Sequence, residues 1–166
     1  MTRTQLKVIA KTCLKDSQML FAAKRYDAAT ALCGYAIELV LKERVCRTLG
    51  WTDFPETNGE FFQKAFDIPE NSVKLKRFCK SFNIPKDELT EFHRKCFKNH
   101  RFLRVNNLET LLVLSGIAEK MQQRFFIEWS IIKKWNPQNR YKKMGSETWN
   151  STELMLSSVE TLFKDL

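Results

Sequence analysis

The sequence predicts an all-α protein, an up-and-down bundle of four to five main helices with an irregular, short-helix middle. Three observations predict it. Two long stretches near the start repeat their apolar residues at three- and four-residue spacing. The 166 residues include only 5 Gly and 4 Pro, too few turn formers for an all-β sandwich. Hydrophobic residues make up 43% and aromatics 12%, enough for a packed core and too much for a disordered chain. A chain of this length forms one domain and needs neither disulfide nor metal to fold. We read 1–166 as that single domain, with 51–105 as its variable middle segment.

Within 6–24, Leu6, Ile9, Ala10, Cys13, Leu14, Met19, Leu20 and Ala23 mostly follow the spacing of an amphipathic helix. The stretch 26–49 is rich in Ala and Leu, holds no Pro, and predicts a long, deeply buried helix. Gly34 lets a neighbouring helix approach closely, and Gly50 suits the residue that ends the helix. Pro55, Asn58-Gly59 and Pro69 predict loop and turns over 51–70. Two shorter helices follow over 71–82 and 86–97, divided by Pro85. Helical patterns over 106–115 and 117–135 flank Gly116, and Asn136-Pro137 ends the second. A loop then runs to 149–150, and Ser151-Thr152-Glu153 is placed to cap a last helix through Leu154, Leu156, Val159, Leu162 and Phe163.

The formal net charge of +9 is unevenly spread. Between 74 and 104 lie Lys74, Lys76, Arg77, Lys80, Lys86, Arg94, Lys95, Lys98, Arg101 and Arg104, against Asp87, Glu88 and Glu91. Lys133, Lys134, Arg140, Lys142 and Lys143 form a second basic run. Such gathering suits a polyanion-binding face, because each phosphate contact releases condensed counterions. It equally suits solvated helix faces that keep a protein in solution. Eight Phe crowd the middle segment (Phe61, Phe62, Phe66, Phe78, Phe82, Phe92, Phe97 and Phe102), and at helical spacing they read as core before they read as base-stacking platforms.

Five Cys without a C-x-x-C pair, set among apolar neighbours, point to reduced thiols and a cytoplasmic location. No secretory leader is read at the N-terminus, and 26–40 is too short and too polar to span a bilayer, so no membrane partner is expected. His93, Cys96 and His100 fall at i, i+3 and i+7, with Cys79 upstream. Zinc sites use paired, short-spaced ligands, and one short pair is too few, so no metal and no cofactor is expected. The chain carries no Gly-rich phosphate loop, G-x-S-x-G elbow or H-E-x-x-H, which removes P-loop hydrolases, α/β-hydrolases and zincins.

Three segments carry a family resemblance. The first is Arg25-Tyr26-Asp27-Ala28-Ala29 followed by Gly34-Tyr35-Ala36-Ile37-Glu38-Leu39-Val40-Leu41-Lys42, with its A-x-E-x-x-L-K. The second is Asn107-Leu108-Glu109-Thr110-Leu111-Leu112. The third runs from Trp129 through Trp135-Asn136-Pro137 to Arg140-Tyr141. Together they resemble the HEPN domain over roughly two thirds of the chain. The resemblance implies a helical bundle that pairs as a homodimer, and work in bacterial toxin–antitoxin or defence systems. It also implies a nucleotidyltransferase partner or RNA as ligand.

Some HEPN-like proteins are metal-independent ribonucleases built on an Arg and a His four to six residues apart. There the 2′-hydroxyl of the RNA attacks phosphorus, the His moves a proton and the Arg stabilises phosphate charge. By that resemblance the catalytic pair here is Arg94 and His100, in Arg94-Lys95-Cys96-Phe97-Lys98-Asn99-His100. A second alignment puts Asn106 in the His position after Arg101, and an amide cannot act as general base near neutral pH. Residues six apart lie about 240° apart around an ideal helix, so a working pair needs a dimer or a broken helix. The nucleic-acid-binding residues on this reading are Lys95, Lys98, Arg101, Arg104, Arg140, Lys142 and Lys143. Three functions therefore remain open: an RNA- or nucleotide-associated protein with an altered catalytic centre, an active endoribonuclease, and a non-catalytic partner of a nucleotidyltransferase.

Overall fold

In the computed structural model, residues 1–69, 72–85, 107–136 and 145–166 are described. Helices take up 74% of them and no strand is present among them, which makes the protein an all-α bundle. The elements are α1 (Arg3–Ala22), α2 (Tyr26–Leu49), α3 (Asn58–Phe66), α4 (Val73–Phe82), α5 (Leu108–Ser115), α6 (Ala118–Arg124), α7 (Phe126–Ile132) and α8 (Trp149–Phe163).

The bundle is organised around α2, which packs against α1, α5 and α8. Its composition explains the position: residues are buried nearly all round it, from Ala29 and Cys33 to Val45 and Leu49. Small residues let the neighbours come close, and short hydroxyl contacts pin them. Thr30 Oγ1 lies 3.1 Å from Thr152 Oγ1 of α8, and Thr48 Oγ1 donates to the Ser115 carbonyl of α5 at 2.8 Å. The helix ends at Gly50, whose φ of 75° is the left-handed conformation that glycine adopts without Cβ strain. In α1 the buried set is Leu6, Ala10, Cys13 and Ser17, one stripe laid along α2. Its start is held by a reciprocal cap between Thr2 and Gln5.

Among the described residues, the middle segment differs from the sequence expectation over 51–70; the helix expected over 86–97 lies outside the described residues. The stretch 51–70 is not all loop, because α3 forms within it. Thr57 caps that helix by accepting from the Glu60 amide, so Asn58-Gly59 becomes a first helical turn and not a β-turn. The gain lies in burial: Phe61, Phe62 and Ala65 share one face. Phe61 meets Trp51 edge-on at 5.3 Å and stacks on Phe78 of α4 at 5.7 Å, while Phe78 and Phe82 sit 4.9 Å apart. These rings are core, as their spacing indicates.

Two further boundaries move. The helical pattern over 117–135 divides into α6 and α7 at Phe125, whose φ of −130° and ψ of 33° leave the helical region while its ring packs on the core. The last helix begins before Ser151: Thr148 is the cap, and Ser151 answers it as the third residue of a capping box.

Candidate functional site

The residues that the sequence nominates for catalysis and nucleic-acid contact all lie outside the described residues. They are Arg94, His100, Lys95, Lys98, Arg101, Arg104, Arg140, Lys142 and Lys143. So do His93 and Cys96 of the weighed zinc set; Cys79 is buried in α4. What the structure describes is the frame on which the two basic runs are mounted.

The first run opens on α4. It carries four cations. Lys74 is exposed and Arg77 half-buried, and each passes near the C-terminal end of a helix. A Cβ placed on Gly50, at the end of α2, would lie 3.3 Å from Lys74 Nζ, and one on Gly116, at the end of α5, would lie 2.7 Å from Arg77 Nη1. Cations there meet the partial negative charge of unpaired carbonyls. Lys76 and Lys80, four apart, are also exposed. Three of the four cations on this helix thus face solvent, and Arg77 is half-buried. A cavity of about 320 Å³ lies next to Lys74, lined also by Leu49, Trp51, Lys64 and Ile68; the Lys64 ammonium is engaged by Asp53. Beyond α4, Asn107 accepts from the amides of Glu109 and Thr110 at 2.8 and 3.2 Å and so starts α5.

The second run follows α7, where Lys133 and Lys134 are exposed. Trp135 then anchors the chain on α2: a Cβ at Gly34 would come within 2.2 Å of its indole Cε2. Gly34 therefore admits a close approach, as expected, by a single indole and not by a helix. Residues 145–147 are in turn held by Asp27 in the first turn of α2. Its carboxylate accepts from the Gly145 amide at 2.7 Å, the Glu147 amide at 3.0 Å and Ser146 Oγ at 3.1 Å. The Gly145 amide is the foremost cause that holds Asp27 below the ordinary carboxylate pKa, with the Glu147 amide and the Ser146 hydroxyl adding to it. Both anchors fall in the segment of α2 that carries the family resemblance.

In the same segment, Lys42 donates to Glu38 Oε1 at 2.6 Å and stands 5.2 Å from the centre of the Phe54 ring. Glu38 is only 4% exposed, so this is a buried pair and the small worth of a surface i, i+4 pair does not describe it. One turn further, Glu43 is 2% exposed and collects Arg3 at 3.0 Å, Arg47 at 3.4 Å and Lys7 at 3.7 Å. Arg3 and Lys7 belong to a basic row that charge summed by segment conceals: Arg3, Lys7, Lys11 and Lys15 recur every four residues along α1. Their spacing is legible in the sequence, but acids elsewhere outside the two runs cancel them in any block total.

Among the described residues the thiols are buried. Burial pushes Cys33 and Cys46 up to about 12, and Cys13 upward as well. Among the described residues no group of three metal-ligating side chains assembles, and no helix is long and apolar enough to cross a membrane. No protein-family profile matches the chain, and neither a curated protein nor a solved structure does.

Proposed function

We propose that the chain is a HEPN-like helical protein of a bacterial conflict system, toxin–antitoxin or defence, that works in the cytoplasm as a homodimer. On this reading it associates with RNA or a nucleotide-bearing partner through the basic middle segment and the loop that carries Arg140, Lys142 and Lys143. The observation that carries the reading is the charge on α4, where Lys74, Lys76 and Lys80 are all exposed and Arg77 is half-buried. A helix that sets three cations in solvent at fixed spacing gathers positive charge on one element, which suits polyanion contact through counterion release. The anchors at Gly34 and Asp27 add support, because both hold the ends of the second basic loop on the helix that resembles the family.

The competing reading is a metal-independent endoribonuclease using Arg94 and His100, and a third is a non-catalytic partner of a nucleotidyltransferase. One experiment separates them. The wild-type protein and a His100→Ala variant are incubated with mixed RNA in EDTA, and products are examined for 2′,3′-cyclic phosphate ends. RNA binding that weakens steeply with salt, without cleavage by either protein, is the expected result. Cleavage by the wild type alone establishes the enzyme. Absence of both binding and cleavage leaves the partner reading.

A further inference from the structure

We infer that the outer face of α1 is a second nucleic-acid-binding surface, a row of cations that follows a single strand by its phosphates. Arg3, Lys7, Lys11 and Lys15 stand about 6 Å apart along the helix, a repeat on the scale of neighbouring phosphates. Successive members turn by about 40°, so the row winds gently across the surface along the ridge of residues four apart.

Lys7, Lys11 and Lys15 are exposed, and neither Lys11 nor Lys15 has an ion-pair partner among the described residues. The acids nearby do not neutralise the row. Glu43 is buried and shared among Arg3, Lys7 and Arg47, Glu160 accepts from Gln18 at 2.6 Å, and Asp16 is turned about 100° from Lys15. Arg47 and Arg44 lie towards the Arg3 end of the row but donate to the main-chain oxygen of Leu166 at 3.2 and 3.3 Å, so they are not counted in it.

Helix stability does not account for the placement. The helix dipole acts within the first turn and so bears on Arg3 alone, where no acid offsets it; it gives no reason for Lys7, Lys11 or Lys15. Arg3 and Lys7 meet Glu43, while Lys11 and Lys15 have no such partner among the described residues. A lipid surface is the poorer fit, because the apolar stripe Leu6, Ala10 and Cys13 is committed to α2 and cannot insert. No aromatic ring borders the row between Arg3 and Lys15, so the surface reads backbone charge and not base identity.

The inference takes its class of ligand from the proposed function but names a different surface, and the two fail separately. The test measures fluorescence anisotropy of a labelled, random-sequence single-stranded RNA against the full chain across a KCl series. Three variants accompany it: K7Q/K11Q/K15Q, K11Q/K15Q, which leaves the cations around Glu43 untouched, and K95Q/K98Q/R101Q/R104Q. The expected result is at least a tenfold weaker Kd for the triple variant and a log–log salt slope smaller by about 2, with K11Q/K15Q intermediate. Unchanged binding by the triple variant while the middle-segment variant loses affinity overturns the α1 surface and leaves the proposed function standing. Loss by the α1 variants alone supports the surface and moves RNA contact away from the middle segment. No RNA binding by the wild type overturns both, and capture by phosphatidylserine vesicles instead assigns the row to membranes.

Discussion

The indole of Trp135 occupies the space that a side chain at position 34 would need: a Cβ on Gly34 would fall 2.2 Å from Cε2 and 2.3 Å from Nε1. Gly34→Ala is therefore expected to lower stability by about 1–3 kcal/mol, because the half-buried indole must leave or the backbone must shift. Trp135→Ala removes the clash, so the double variant is expected to be more stable than the sum of the two single losses. Urea unfolding of the four proteins in a double-mutant cycle measures this, and additivity would argue against the contact.

Asp27 should make stability depend on pH in one direction. Its folded-state pKa lies below the unfolded value of about 3.9, so its contribution is complete above that value. The contribution is lost as pH falls through the lower, folded pKa. Asp27→Asn, which turns an amide towards the Gly145 or Glu147 donor, is expected to cost about 1–2 kcal/mol at pH 7. The gap between the two proteins should narrow as pH falls below the ordinary carboxylate range and close below the folded-state pKa, as seen in thermal melts across a pH series.

Glu43 and its cations are predicted to respond unequally. Glu43→Gln leaves Arg3 and Arg47, both about 41% exposed, free to rehydrate, and should cost about 2 kcal/mol. The double variant R3Q/R47Q leaves a carboxylate that is 2% exposed with Lys7 at 3.7 Å as its remaining cation, and should cost about 3–5 kcal/mol. Chemical denaturation at neutral pH compares them; a larger loss from Glu43→Gln would contradict the burial of the carboxylate.

Cys33 and Cys46 should resist alkylation in the folded protein. Their thiols are buried and poorly ionised, and attack requires a thiolate in contact with solvent. Mass spectrometry after iodoacetamide treatment, with and without denaturant, should find both modified only in the denatured sample.

The bounds of α2 were legible because both are written locally: the apolar pattern opens after Arg25 and Gly50 supplies the left-handed stop. The helix at Asn58–Phe66 was not, because Asn58-Gly59 is as good a turn as it is a helical first turn. What decides is the burial of Phe61 and Phe62 against rings some twenty residues on, and local pattern does not contain that. The division at Phe125 has no Gly or Pro to announce it and is a product of packing. At the site, Gly34 was legible as a close approach but not its visitor, since Trp135 is a hundred residues away in sequence. The clamp on Asp27 reaches across a similar distance. The row on α1 was present as a spacing of four and hidden by bookkeeping in blocks.

The central place of α2 also bears on how the chain acquires and loses its structure. Its first neighbour, α1, is its neighbour in sequence, so an antiparallel hairpin of the two can assemble early and at little loop-closure cost. The other flanks are closed by α5 and α8, which arrive from far down the chain. Amides in the middle of α2, around Ile37 to Leu41, are enclosed from every side and have no partial opening that reaches them. Their hydrogen exchange should therefore proceed only through whole-molecule unfolding, making this helix the place where the free energy of the entire fold can be read from a single peptide.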